Sequence, residues 1–522
     1  MTIENIQQYL PKNAKVEICD NIAFFEVSAF EIKEIAVDLQ AKGAIMNLIS
    51  ATDEGGGQGG FNIWYVFGLP KKNIFIIPFI RLQHTTEFPS LTPAIHSACN
   101  FEKKIHTFFG LTPVGHPDLR PILLHENWPV DVFPLRKDFD WQTKTKDVQR
   151  PYLFQKVEGE GVYEIPVGPI HAGIIEPGHF RFSVAGEEIL LLEAKLGFVH
   201  KGSEKLFEVL GLGDKVRLSE KISGDSSFSH SLAFCQAVEQ LSGVTVPERA
   251  LYLRVIYAEL ERLANHFGDI GAIMIDTGFN FGGANGARLR EIIMQINERL
   301  TGSRFLRGAG AIGGVLKDIN AKEAVALGRH LEKIRKDFLE VIAIAENSTS
   351  LLNRLTDTGV LLAKTAQDYG ALGVAARAVG IIFDARVDFP YAAYAKLDFN
   401  TVETESDGDV YGRFKVRIKE SFASINLIKN ALTKLPKGPV HVNIENVVFK
   451  KNALALGVVE GWRGQIIYFI TTDASGNINK VTPCDPSFLN WPLVSEVGAG
   501  NVVPDFPLIN KSFNLSYSGN DV

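Results

Sequence analysis

The sequence predicts an α+β fold. A small N-terminal α/β domain precedes a large domain whose core is a bundle of long helices flanked by small β-sheets. Three observations predict it. Apolar residues recur at helical spacing over three long stretches: Tyr252, Val255, Ile256, Leu260, Leu263, Phe267 and Ile270; Leu327, Leu331, Ile334, Phe338, Val341 and Ala345; and Phe414, Ile418, Phe422, Ile425, Ile428 and Leu432. Ahead of them, short β-rich runs are broken by glycine and proline turn signals. Between the two regimes, Lys137–Pro151 is polar and charged. The boundaries follow: a first domain at 1–140, a linker at 141–160 and a second domain at 161–522.

In the first domain, Ile32, Ile35 and Leu39 line one face of a short helix over Glu31–Lys42. Strands are expected at Ala44–Ser50, Phe61–Gly68 and Asn73–Leu82, separated by the Gly55–Gly60 cluster and by Pro70-Lys71-Lys72. They read as a meander with a helix on one face. Pro93–Ile105 reads as a second helix. Phe109–Trp128, continued by Pro134–Phe139, reads as a turn-rich corner where Arg120, Arg136 and Lys137 meet Asp118 and Asp138. In the second domain, strands at Glu164–Val167 and His179–Leu192, turning at Gly186, feed the long helices. Pro247 suits the first helical position, and Pro436-Lys437-Gly438-Pro439 stops the third helix. Short strands at Val440–Ile444, Ala453–Glu460 and Gln465–Thr472 close the chain.

Composition excludes several classes. The 522 residues are 46% hydrophobic and 22% charged, which is ordinary for a globular protein. A net charge of −6 lacks the basic bias of a general nucleic-acid binder. Cys19, Cys99, Cys235 and Cys484 are scattered, so neither a disulfide framework nor a Cys-x-x-Cys ligand pair is expected, and a reducing cytosol fits. The N-terminus has no basic, apolar signal pattern, and no uncharged run reaches the about 20 residues of a membrane span. Membrane association is therefore expected to be peripheral or through partners. Gly308–Gly313 has the G-x-G-x-x-G spacing but follows a helix-like stretch, so no dinucleotide site is expected there.

The candidate functional residues lie in four segments. Gly168–Phe182 places His171, Glu176 and His179 on a tight loop; the plain reading is turn histidines. Glu204 stands at a helix start after Lys201-Gly202, where a buried carboxylate could move protons if burial raises its pKa. Glu220–Glu239 carries Ser223, Ser226 and His230 at a serine-rich helix start. Arg377, Asp384, Arg386 and Asp388 form a charged strip, read first as a buried salt-bridge network.

These segments, with the tail Asn514-Leu-Ser-Tyr-Ser-Gly-Asn-Asp521, closely resemble one family. It is that of the large subunits of energy-converting NiFe hydrogenases and of respiratory complex I. Phe109–Phe139, with Glu102 upstream, resembles the signature of the small peripheral-arm subunit of the same complexes; Lys104 and Thr107 depart from it. The resemblance implies an oxidoreductase subunit of a peripheral arm, on the cytoplasmic face of a membrane, made by fusion of the two subunits. It implies an iron–sulfur partner subunit and antiporter-like membrane partners, with no nucleic acid. The four nickel-ligand cysteines of the hydrogenases fall at Ser223, Ser226, Ser516 and Gly519, so no metal is expected; a serine hydroxyl is a poor substitute for thiolate on a soft metal. The two quinone-binding positions of complex I fall at Ile175 and Gly224. His171, Glu176, His179, Glu204, His230, Arg377 and Asp384 are then expected around a cavity receiving electrons and protons. Glu204 would be a proton relay, a quinone the candidate acceptor, and no cofactor would be held by this chain itself. Any NAD link belongs to the wider complex. A scaffold subunit that moves ions conformationally is the alternative. The chain ends three residues past Gly519, where a finished C-terminus is expected.

Overall fold

The computed structural model describes residues 6–12, 14–55, 60–444 and 448–522. It is 42% helical and 18% strand, in several small sheets, which is the α+β class expected.

The first domain is built on one five-stranded sheet. The meander is there as β3 (Ile45–Asp53), β4 (Phe61–Leu69) and β5 (Ile74–Leu82), with α1 (Ile32–Ala41) against it. A hairpin that the sequence pattern does not announce, β1 (Val16–Cys19) and β2 (Ile22–Glu26), extends the sheet by pairing β2 parallel to β5. A short parallel pair, β6 (Glu87–Pro89) and β7 (Thr112–Val114), flanks the second helix. That helix, α2 (Cys99–Phe109), starts later than expected, because His96–Ala98 is a 3-10 turn. It ends on Gly110, which is left-handed at φ 67°.

The second domain opens with an antiparallel sheet of β8 (Val162–Val167), β9 (His179–Ala185) and β10 (Glu188–Lys195), turning at Gly186 as expected. Short helices α3 (Ser203–Val209) and α4 (Leu212–Ser219) lead to α5 (Ser227–Ser242). The bundle follows. α6 (Glu248–Asp276) packs against α7 (Asn280–Thr301), and the hairpin β11 (Gly310–Ala311) and β12 (Gly314–Val315) precedes α8 (Ala321–Glu346). Pro247 stands one place before α6, at its N-cap, not inside its first turn. The G-x-G-x-x-G stretch falls on the β11–β12 hairpin, which opens no helix of its own.

Short helices α9 (Thr349–Leu355), α10 (Ala363–Tyr369), α11 (Gly373–Arg377) and α12 (Ala385–Asp388) wrap the bundle before α13 (Val410–Thr433). The closing sheet is β13 (Leu454–Gly461), β14 (Gly464–Thr472) and β15 (Ile478–Cys484). Val440–Ile444 is not a strand; it makes one bridge, His441 to Gly314. α14 (Pro486–Gly498), α15 (Phe506–Phe513) and α16 (Tyr517–Asn520) end the chain.

The two domains share a core. Residues of the first sheet pack with Phe389, Leu456, Ile467, Phe469 and Phe488 of the second domain in one apolar cluster. Phe75 stacks on Phe389 at 4.6 Å, and Trp64 meets Phe469 at 5.8 Å. Polar pairs cross the same seam: Asn47 donates to Gln465 at 2.7 Å, and the Ser50 and Thr482 hydroxyls lie 2.7 Å apart. α5 is pressed on β13 so closely that a Cβ on Gly457 would lie 1.8 Å from the Ala233 carbonyl. That contact fixes the helix whose start carries the serines.

Candidate functional site

Four chain segments meet at the start of α5. They are the loop Ile222–Ser226, the β13–β14 turn at Trp462-Arg463, the β15–α14 junction at Asp485, and the tail Ser516–Asn520. Ser223 Oγ lies 2.8 Å from Ser516 Oγ and 3.0 Å from Asp225 Oδ1. Ser516 caps α16 by accepting from Gly519 N at 2.9 Å. Arg463 grips Asp225 with two bonds of 2.6 and 2.8 Å, and its Nη1 lies 3.4 and 3.5 Å from Ser223 and Ser226 Oγ. Its guanidinium rests 3.8 Å from the Trp462 ring centre. The four positions identified from the sequence therefore converge, and a guanidinium stands beside two of them. Burial opposes ionisation of Asp225, but Arg463 holds its carboxyl below the usual range.

His230 extends the cluster inward. Its Nε2 lies 3.0 Å from Asp485 Oδ2 and its Nδ1 3.0 Å from the Tyr468 hydroxyl, all buried. Asp485 also caps α14 by accepting from Ser487 N at 2.8 Å. A Cβ on Gly519 would lie 2.9 Å from both Asp485 carboxylate oxygens, so Asp485 occupies the space a side chain there would use. Glu261 of α6 accepts from Phe228 N at 2.7 Å and Ser229 N at 3.1 Å at the start of α5, and burial pushes it up to about 7. Such a value suits proton exchange near neutral pH.

Glu204 corrects an expectation. It is buried, yet its pKa is not raised. Lys104 Nζ lies 2.5 Å from one oxygen and Lys480 Nζ 2.7 Å from the other, and against the effect of burial they hold Glu204 down at about 2. In this geometry Glu204 is held as a carboxylate between two cations. A void of about 20 Å³, enough for one water, separates it from Asp485 and Gly519.

The Gly168–Gly178 loop is closed by its histidines. His171 Nε2 donates to Gly178 O at 2.7 Å, and His179 Nδ1 lies 3.2 Å from Gly168 O, leaving its buried Nε2 without a partner. Glu176 reaches the tail by accepting from Ser518 N at 3.0 Å. Ile170 and Ile174 of this loop are 87% and 99% exposed, so its apolar side faces outward.

Arg377 and Asp384 do not join this group. Both are wholly enclosed in a separate network with Arg386, Glu420 and Glu460. The expected single cavity is thus divided. His230, Ser223, Ser226, Ser516 and Gly519 meet, Glu176 reaches the tail at Ser518, Glu204 lines the small void beside Gly519, and Arg377 and Asp384 stand apart. At the first-domain corner, Arg120 meets Asp118 at 3.0 Å and also Glu193 at 2.6 Å, tying the domains together. Arg136 instead donates to Phe109 O, and Lys137 pairs with Glu208 rather than Asp138. A cleft of about 720 Å³ lies between the domains, lined by Tyr152, Lys195, Tyr369 and Trp491 among others, and none of the predicted site residues lines it. Sequence reasoning missed Arg463, Asp225, Asp485, Tyr468 and Glu261. Among the described residues, no helix is long and apolar enough to cross a membrane.

Comparison with known proteins gives the following. Residues 276–457 match the family model described as the respiratory-chain NADH dehydrogenase 49 Kd subunit, and residues 25–145 that of the 30 Kd subunit. The chain is 32% identical over 488 residues to formate hydrogenlyase subunit 5 of Escherichia coli strain K12, covering 92% of this chain and 85% of the relative. It is 32% identical to hydrogenase-4 component G of the same organism, covering 91% and 83%. It is 30% identical to an NADH-quinone oxidoreductase subunit of Phocaeicola vulgatus, covering 76% and 79%.

Proposed function

The chain belongs to the family of the respiratory-chain NADH dehydrogenase 49 Kd subunit and its hydrogenase relatives, with a 30 Kd-subunit domain fused ahead of it, and from that premise we propose that it is the peripheral subunit of a membrane-attached redox complex that works without a nickel–iron centre. One observation carries the reading. The positions equivalent to the four metal thiolates meet at one point, and they hold three hydroxyls and a glycine. Hydroxyls stay protonated at neutral pH and are poor ligands for soft metals. Arg463 Nη1 also points a donor at the Ser223 and Ser226 oxygens, so their lone pairs face a hydrogen-bond donor. The donor set does not fit the metal.

Electrons then arrive from an iron–sulfur partner subunit and leave to an external carrier, for which a quinone is the candidate. The protons travel over this chain's own groups, His230 with Asp485 and Tyr468, and Glu261. The complex sits on the cytoplasmic face of the membrane and couples this transfer to ion movement in antiporter-like partners.

A second reading is favoured by one feature. The serine cluster satisfies its own hydrogen bonds, and the void beside it holds about one water. A site so closed suits a scaffold that transmits conformational change without redox chemistry.

Metal analysis and turnover of the purified complex test both. We expect nickel far below one per chain, no hydrogen uptake, and reoxidation of the reduced complex by a soluble quinone. Near-stoichiometric nickel would overturn the first reading. Failure of every quinone and dye to reoxidise the reduced complex would leave the scaffold.

A further inference from the structure

Eight ionisable side chains meet in one enclosed cluster between α6, α11, α12, α13 and β13. They are Glu259, Arg262 and His266 of α6, Arg377 of α11, Asp384 and Arg386 at α12, Glu420 of α13 and Glu460 of β13. None is more than 1% exposed. Arg386 bridges Asp384 at 2.7 Å and Glu259 at 3.0 Å. Arg262 lies 3.2 Å from Glu259 and 3.6 Å from Glu420. Arg377 bridges Glu420 at 2.7 Å and Glu460 at 3.1 Å, and His266 Nε2 lies 2.7 Å from Glu420 Oε2.

The charges do not balance. Four carboxyls face three guanidiniums, and an arginine stays protonated at any ordinary pH. Fully ionised, with a neutral imidazole, the cluster would bury one uncompensated negative charge, which a low-dielectric interior strongly disfavours. One further proton restores neutrality. Asp384 has Arg386 on both oxygens, and Glu259 is held by two arginines, Ser424 and Tyr394. Glu420 is shared by Arg377, Arg262 and His266. Glu460 is the least compensated: it shares Arg377 with Glu420, and otherwise accepts from Ala385 N at 3.0 Å.

We propose that this cluster is a proton-storage site holding one exchangeable proton, carried either by the Glu460 carboxyl or by His266 on Glu420. Both forms are neutral overall. In one, Glu460 is a carboxylic acid and His266 a neutral imidazole; in the other, the Glu460 O–H bond is broken and His266 has gained an N–H as an imidazolium. No electron moves. Burial and the Asp384 charge push Glu460 up to about 7, while burial lowers His266 and Glu420 opposes that. The other facing groups are fixed. Arg417 of α13 is paired to Asp269 of α6 at 2.8 Å. The Tyr391 hydroxyl meets Glu460 N, Tyr394 meets Glu259, and Asp388 accepts from Asp384 N with Lys71 of the first domain nearby.

The cluster adjoins the serine site through one residue. Trp462 stands edge-on to His266 with ring centres 6.3 Å apart, and its other neighbour is the Arg463 guanidinium paired to Asp225. The storage site does not depend on which carrier takes electrons, or on any redox role.

Infrared spectroscopy of the full chain across pH 5–9, with nitrogen NMR of labelled histidine, tests the proposal. In the wild-type chain we expect a buried protonated-carboxyl signal from Glu460 and an imidazolium signal from His266 that together account for one proton and do not change across the range, because moving the proton between them releases none. In Glu460→Gln the Glu460 component is lost, leaving only what buried Glu261 contributes, and His266 stays neutral throughout because the cluster is already neutral. In His266→Gln the Glu460 component rises to a full proton, because no second carrier remains. A wild-type chain with no protonated carboxyl and a neutral His266 would overturn the proposal even if neither variant folds. So would an unchanged band in Glu460→Gln.

Discussion

The carboxylate of Glu204 lies between two ammonium groups, Lys104 from the first domain and Lys480 from the second. Burial alone would have made it a weak acid, and two close cations reverse the sign. A carboxyl that titrates near 2 when folded and near its ordinary value when unfolded contributes about 3 kcal/mol. The folded value is depressed, so this stability is complete above the unfolded pKa and is lost as pH falls toward 2. Glu204→Gln should therefore lose about 3 kcal/mol in urea unfolding at pH 7, and the gap to wild type should shrink as the buffer is taken toward pH 3. A gap that stays constant with pH would show that lost packing, not charge, is responsible. Lys104 is visible in the sequence only as a departure from a motif; its partner lies 100 residues away, and nothing local marks the pair. The same holds for Arg463 and Asp485. Ser223, Ser226, Ser516 and Gly519 are legible because their spacing carries the resemblance, whereas the arginine and carboxylates that fill the space are single residues on ordinary strands and turns.

At the scale of elements, α7 is the clearest case of tertiary structure overriding local signals. Phe279–Gly286 contains three glycines and two asparagines and reads as a loop. It is the first two turns of a 22-residue helix because the glycines let α7 lie directly on α6. A Cβ on Gly286 would lie 2.5 Å from the Gly271 Cα and 2.9 Å from the Phe267 carbonyl, both unyielding backbone. By contrast, a Cβ on Gly328 in α8 meets nothing within 4 Å. The same substitution should then act with opposite sign. Gly286→Ala should destabilise by about 1–3 kcal/mol through overpacking. Gly328→Ala should stabilise by about 0.5–1 kcal/mol through helix propensity. Thermal unfolding of the two variants decides it, and equal shifts would refute the close-packing account. The long helices α6, α8 and α13 are legible because their apolar faces repeat over many turns. The β1–β2 hairpin is not, because its four- and five-residue strands are short and β2 finds its parallel partner about 50 residues on.

At the scale of the whole molecule, the stretch expected from composition as a linker, 141–160, joins two parts that share one core. The linker runs in extended contact with both sides: Arg150 donates to Glu126 O and Trp128 O, and Tyr152 and Gln155 bond Glu193 of β10. Beneath it, Trp64, Phe75 and Ile49 share one apolar cluster with β13–β15, and Lys104 carries its charge into the second domain to meet Glu204. Composition marks the linker, but no sequence periodicity reveals that both faces of the first sheet are covered, one by its own helices and one by another sheet. Burial of apolar area at about 25 cal/mol per Å² makes such a face a large part of a small domain's stability. Residues 1–140 expressed alone should therefore be unstable, exposing aromatic surface that aggregates. Co-expressed with residues 141–522 as a separate chain, they should be recovered as a stable pair that co-purifies through size exclusion. Lys104→Glu, which sets two carboxylates against each other at the seam, should abolish that recovery. A soluble, monomeric 1–140 fragment with cooperative unfolding at the temperature of the full chain would show that the first domain holds its fold without the second.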